Sequence, residues 1–311
     1  MGGGLHGLSK YNFFASVASS PLYRASIWKL CYKKNRYKIN KYKIQKYNSK
    51  NDKIKFQKFK NDFTDIFTSL KDIPKIKYAI LSANEIAKIT NLENSIEDED
   101  VIEFYQTLKN KVAPNNLINF YNNIQTLKIV KSDNSNIKKI EEAMYFCLGN
   151  YDNVKNTINI FYNPQNNKDT LHHELFHTSS ADRKNKLNGF ELNLEHDHLF
   201  ISIGRGLNEG YTETLCNRYF KTRNEKAYPK LQNLSILIER FYDNPKNMET
   251  DYFNACLINL ISELSQKMTI EEAVDILVDI DYIDEHPDDQ NFYKKTYSKI
   301  TKLYNKSQKQ K

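Results

Sequence analysis

Thr170-Leu171-His172-His173-Glu174-Leu175-Phe176-His177 is the stretch of this chain richest in groups that do chemistry. On a helix, residues four apart stand one turn apart on a common face, so His173 and His177 can aim two imidazoles at one point. A metal ion suits that point. Glu174 follows the first of the pair and borders the same position, placed to take a proton from a bound water. His172 does not fit, because at a spacing of five from His177 it points off the face. With 7 His in 311 residues, the H-E-x-x-H pattern arises by chance in about one such chain in a hundred.

Two ligands do not make a catalytic zinc site, which usually has three protein ligands and an open position. The candidate for the third is Glu209, within Gly206-Leu207-Asn208-Glu209-Gly210-Tyr211-Thr212-Glu213. Glu213 lies one turn further along that helical face, where a carboxylate can accept the remaining N–H of a ligating imidazole.

Together, His173-Glu174-x-x-His177 and Asn208-Glu209-x-x-x-Glu213 resemble the gluzincin superfamily of zinc metallopeptidases, the thermolysin-like group. The resemblance covers two segments, roughly 168–180 and 203–220, and the rest of the chain matches no named family. It implies an α+β, zincin-like catalytic domain with a small antiparallel sheet before the motif helix and a helical C-terminal part. It also implies one Zn²⁺ per chain held by His173, His177 and Glu209, with Glu174 as general base, Glu213 and Asn208 supporting the ligands, and a peptide or protein as substrate. The acid in the supporting position is Glu213 rather than the Asp of the type member. The connection from His177 to Glu209 is also longer, which implies an inserted loop.

The expected chemistry is peptide hydrolysis, with Glu174 passing the proton of the attacking water to the leaving amine. Tyr and His steady the developing oxyanion in relatives, and 21 tyrosines leave that donor open. Two rival readings come from other classes. One is a zinc-binding, non-proteolytic interaction protein, which has no use for Glu174. The other is a factor that binds nucleic acid or an anionic membrane through a basic arm.

That arm is where the charge sits. The formal net charge is +8, yet residues 1–50 hold 11 Lys or Arg and no acid, which leaves 35 basic against 38 acidic residues in the remainder. Residues 32–60 interleave bases with aromatics, including Tyr32, Arg36, Tyr37, Lys41, Tyr42, Tyr47, Phe56 and Phe59. Such a pattern can bind polyanions by charge and stacking. No recognisable nucleic-acid module frames it, so a solvated, flexible leader is the favoured reading of 1–60. The apolar run Phe13-Phe14-Ala15-Ser16-Val17-Ala18 is shorter than the ~7–15 residues of a signal-peptide core. Cys31, Cys147, Cys216 and Cys256 form no C-x-x-C pair, which fits a reducing compartment. A cytoplasmic location is expected, with secretion or organelle targeting through the leader as the alternative. No run approaches the ~18 apolar residues of a membrane span.

Around the motifs the chain must build a scaffold. Residues 61–130 read as mostly helical. Ser82 or Asn84 caps a helix to about Ile89, and a Ser95/Asp98 capping box opens one to about Lys111. Another helix follows Pro114, after Tyr78–Leu81 has read as a short strand or helix start; Thr126–Val130 is strand-like. The core, 131–222, starts with a hairpin of Ala143–Leu148 and Thr157–Tyr162 joined by the turn-rich Gly149–Asn153. The resemblance implies that an edge strand there aligns an extended peptide. The motif helix begins near Asp169, with Leu171, Leu175 and Phe176 as its apolar side. Residues 181–205, with Glu191, Glu195, His196, Asp197 and His198, read as a solvated loop rather than a second ion site. Residues 223–311 form a helical subdomain: Leu231–Tyr242, Tyr252–Leu264, Ile270–Ile280 with a cap at Thr269, and Phe292–Tyr304.

Overall fold

The computed structural model describes residues 64–65, 67–68, 75, 77–78, 80–131, 149–160, 167–196, 199–220 and 227–309, with backbone alone at 167 and through 193–202. The expectations placed on 1–60, on 143–148 and on Asp197 and His198 lie outside the described residues. The fold is mixed α+β. Among the elements described in full, three helices come first, α1 (Ala83–Thr90), α2 (Glu99–Lys109) and α3 (Ile118–Ile124), followed by strands β1 (Lys128–Lys131), β2 (Gly149–Asp152) and β3 (Thr157–Ile160). The motif helix is α4 (Asn167–Ser180). Then come β4 (Ala181–Asp182), β5 (Leu187–Asn188), β6 (Glu191–His196) and β7 (Leu199–Ile203). The second ligand-bearing helix is α5 (Arg205–Tyr219). The chain closes with α6 (Pro229–Glu239), α7 (Pro245–Phe253), α8 (Leu257–Ser265), α9 (Ile270–Glu285) and α10 (Gln290–Gln308). Among the described residues no helix is long and apolar enough to cross a membrane.

Local chemistry explains most of these boundaries. Ser82 and Glu85 form a reciprocal capping box on α1, and Thr269 and Glu272 form one on α9, so orphan N–H groups of the first turn are satisfied. Asp98 alone caps α2, accepting from the N–H of Asp100 and Val101. Ser95 belongs instead to a 3₁₀ turn, its hydroxyl donating to Leu92 O at 2.8 Å. Tyr78, Ile80 and Leu81 belong to neither strand nor helix. Tyr78 is held by its hydroxyl, which donates to Asp251 Oδ1 at 2.5 Å. The expected helix Tyr252–Leu264 is two helices, α7 and α8, because Ala255 takes a left-handed φ of 51° between them. Pro245 opens α7 rather than only closing its predecessor, as a proline's fixed φ allows at a first helical position.

The sheet ahead of α4 has the order β1-β3-β2 and is mixed rather than purely antiparallel, since β1 runs parallel to β3. A hairpin is present, but it is not the expected one: the strand expected at 143–148 lies outside the described residues, and the turn is displaced. Gly149 to Asp152, read as the connection, is itself a strand paired with Thr157 to Ile160. The reversal falls at 153–156, where Asp152 Oδ1 accepts from the N–H of Val154 and Lys155 at 3.0 and 2.9 Å, and Asn156 adopts φ 54°. Asn and Asp make such turns with their own side chains. Gly149 misled the reading because its role is steric. A Cβ there would stand 2.6 Å from Thr170 Cγ2, so its bareness lets β2 lie against the motif helix.

The described residues of 181–205 are not a solvated loop. They form a four-stranded antiparallel sheet, β4-β5-β6-β7, with Leu192 opposite Ile203 and His196 opposite Leu199. Apolar and polar residues alternate through Glu191-Leu192-Asn193-Leu194-Glu195, the period-two pattern of a half-buried strand. The charged residues interleaved in that sequence hid the pattern.

The core is centred on α4 and α5. Leu171, Leu175 and Phe176 are fully buried, each stabilising by about 1.5–3 kcal/mol. Phe176 meets Phe104 edge-on at 5.0 Å between ring centres. Asn123 of α3 donates to the carbonyls of Thr178 and Ala181, both at 2.8 Å, satisfying groups that a helix end leaves orphaned. Helix α5 is packed from both sides. Cβ atoms at Gly206 and Gly210 would fall 2.6 Å from Ile280 O and 2.3 Å from Leu231 O, so α9 and α6 approach its backbone closely.

Candidate metal centre

Helix α4 is buried on every side from Thr170 to Ser180, so its polar side chains need partners in the interior. Thr178, Ser179 and Ser180 turn their hydroxyls back onto carbonyls of their own helix. His173 and His177 turn toward α5. Nε2 of His173 stands 3.1 Å from Nε2 of His177 and 3.1 Å from Oε2 of Glu209, and His177 Nε2 is 3.4 Å from the same oxygen. Three ligand atoms thus converge, one from each residue. Ligand atoms bound tetrahedrally at ~2.0–2.1 Å stand about 3.3–3.4 Å apart, close to this triangle.

The far sides of both imidazoles are also occupied. Glu213, fully buried, places Oε2 3.4 Å from His173 Nδ1, and its Oε1 accepts from Asn217 Nδ2 at 3.2 Å. Asn208 Nδ2 lies 3.3 Å from His177 Nδ1, while Asn208 Oδ1 accepts from Phe190 N–H at 3.1 Å. The structure therefore brings together His173, His177, Glu209, Glu213 and Asn208. It also sets Cys216 beside His173, in a second grouping of His173, Glu213 and Cys216 that could hold an ion. Cys216 follows Glu213 by three residues on the same helical face, a spacing the sequence displays but that was not used.

Charge is tightly coupled here. Burial works against a charged His173, but bonds to Cys216, Glu209 and Glu213 outweigh it and hold its pKa well above the usual value. Burial likewise pushes Glu209 up, yet His177 and His173 pull it well below the carboxylate range. Glu174 moves the other way. Burial raises its pKa, with His173, His177 and the backbone N–H of Tyr151 opposing.

Tyr228 is a residue the sequence did not single out. It precedes Pro229, and its backbone is left-handed at φ 51°, ψ 44°. A bulky residue pays for that conformation with about 1–3 kcal/mol of strain. The result is a ring lying 5.7 Å from that of His173 at 29°. The charge of Glu209, followed by burial, raises its hydroxyl well above the ordinary tyrosine range, so the proton stays on as a donor.

His172 is left out of the centre, as its spacing required. It is buried against Phe104 and Phe220, with ring centres 5.9 and 4.0 Å away, and neither ring nitrogen has a hydrogen-bond partner among the described residues. Burial lowers its pKa from 6.5 to about 4. Between those values the unfolded chain binds a proton that the folded chain refuses, so stability falls as pH drops through that window. Metal-free protein should lose about 2 kcal/mol between pH 7 and pH 5 on this account. His172→Phe should lack that loss. Denaturant titrations at both pH values test it, and equal acid sensitivity of the two proteins would refute it.

Comparison of the chain with protein-family models, with curated proteins and with solved structures finds no match.

Proposed function

We propose that this chain is a zinc-dependent peptidase with a zincin-like centre, hydrolysing peptide bonds in an extended substrate. The observation that carries the reading is the triangle of Nε2, Nε2 and Oε2 atoms at 3.1, 3.1 and 3.4 Å. Two imidazole nitrogens facing one another with a carboxylate oxygen are a donor set suited to Zn²⁺. Glu213 and Asn208 orient the two rings from behind. A zinc ion held there would lower the pKa of a water to about 7 and polarise a carbonyl.

The remaining work falls to the chain itself. Glu174, its pKa raised by burial, takes a proton from the attacking water and delivers it to the leaving amine. The Tyr228 hydroxyl donates to the developing oxyanion. Among the described strands β2 lies at one edge of its sheet, and the backbone N–H of Tyr151 acts on the Glu174 carboxylate. The outer edge of β2 therefore borders the general base, where an extended peptide can pair by backbone hydrogen bonds.

Elemental analysis tests the ligand set. Wild-type protein should carry about one zinc per chain, and His177→Ala should carry none. Glu213→Ala should keep the fold and weaken zinc by about 10–100-fold. A zinc-free wild type, or His177→Ala with equal zinc, removes the proposal.

A further inference from the structure

Arg205 opens α5 one turn before Glu209, so both side chains rise from the same face of the helix. Its position is fixed by α9. Asp281 accepts from the N–H of Gly204 and of Gly206, each at 2.8 Å, on either side of Arg205. One turn further along α9, Asp284 Oδ2 lies 3.3 Å from Arg205 Nε, the inner nitrogen of the guanidinium. The outer two nitrogens make no hydrogen bond to a described residue, and the side chain is 56% exposed. Burial lifts the Asp284 carboxyl to about 7 against the pull of Arg205. The guanidinium is therefore held at its stem without being fully neutralised. Standing one turn from Glu209 on the same helical face puts it beside the candidate centre, and it interacts electrostatically with Glu209, Glu191 and Tyr228.

We propose that Arg205 determines specificity, its two outer nitrogens binding a carboxylate of the substrate close to the scissile bond. The inference rests on the peptidase reading. A planar guanidinium offers two parallel donors that match a carboxylate. Anchoring of its stem by Asp284 leaves less freedom to lose on binding. The surroundings supply the need, since Glu174, Glu191, Glu209 and Asp284 would otherwise meet an anionic substrate with like charge. Either the C-terminal carboxylate of a peptide or an acidic side chain carries the required group.

Three dipeptide hydroxamates separate these sources: one ending in Gln-amide, one in Gln with a free carboxylate, and one in Glu-amide. Each is titrated by calorimetry into zinc-loaded, full-length wild type and Arg205→Gln. Wild type should bind one of the charged ligands at least about tenfold more tightly than the neutral one. Arg205→Gln should lose that preference while its affinity for the neutral ligand stays within about twofold. Preference for the free acid assigns the C-terminal carboxylate, and preference for Glu-amide assigns an acidic side chain. No preference in wild type, or one that survives in Arg205→Gln, overturns the role of Arg205. Failure of the neutral hydroxamate to bind wild type overturns the peptidase reading, and this inference with it. If Arg205→Gln lacks a cooperative melt, Arg205→Lys replaces it. That variant keeps the charge beside Asp284 but not the fork, and should lose most of the preference.

Discussion

Glu174→Gln should leave zinc in place and cut peptide hydrolysis by about 10²–10⁴-fold, the cost of losing a general base. Glu174 is absent from the converging ligand atoms, which come from His173, His177 and Glu209. An amide of the same size can still accept from the Tyr151 N–H that its carboxylate meets. What it cannot do is take a proton. Burial raises the Glu174 carboxyl, which brings a base closer to the operating pH. Zinc content and thermal stability should stay near wild type while turnover collapses. Peptide-library cleavage by the variant at the wild-type rate would show that the base lies elsewhere. A wild type that cleaves nothing across a broad library would favour a zinc-binding protein without peptidase activity.

Tyr228→Phe should lower kcat by about 10²–10³-fold with KM little changed, as expected when one donor to the oxyanion is removed. The substitution deletes a single oxygen. Phe keeps the aromatic ring against His173, and the left-handed backbone at φ 51° is no more strained for Phe than for Tyr. A structural role would instead appear as lost stability or weakened zinc, and neither is expected. Unchanged kcat would leave Tyr228 as packing for the His173 ring.

The centre was legible because its spacing rules are local. His173 and His177 are four apart on one helix, Glu209 and Glu213 four apart on another, and helical periodicity alone brings each pair to a common face. Tyr228, Arg205, Asp281 and Asp284 were not legible, because tertiary contact gives them their place at the site. Asp281 meets Gly206 across 75 residues, and no local pattern announces that. The misread elements have a different origin. In 181–203, charged composition outweighed the period-two alternation that marks strands. Between α7 and α8, Ala255 turns the chain at φ 51° with neither Gly nor Pro to signal a break. In β2, a glycine and two asparagine or aspartate residues imitated a turn while serving as a strand pressed against α4.

The clamp of Asp281 on Gly204 and Gly206 also sets a schedule. Translation at ~5–20 residues per second makes Asp281 about 4–15 s after Gly206. For nearly all of that interval the nascent chain contains His173, His177 and Glu209, but the entrance to α5 lacks the carboxylate that holds the N–H groups of Gly204 and Gly206. Contacts of such separation form late for entropic reasons as well. Assembled in this order, the chain lacks the clamp at the entrance to α5 until Asp281 has been made. The helix that carries Glu209 has its entrance completed only in the last third of synthesis.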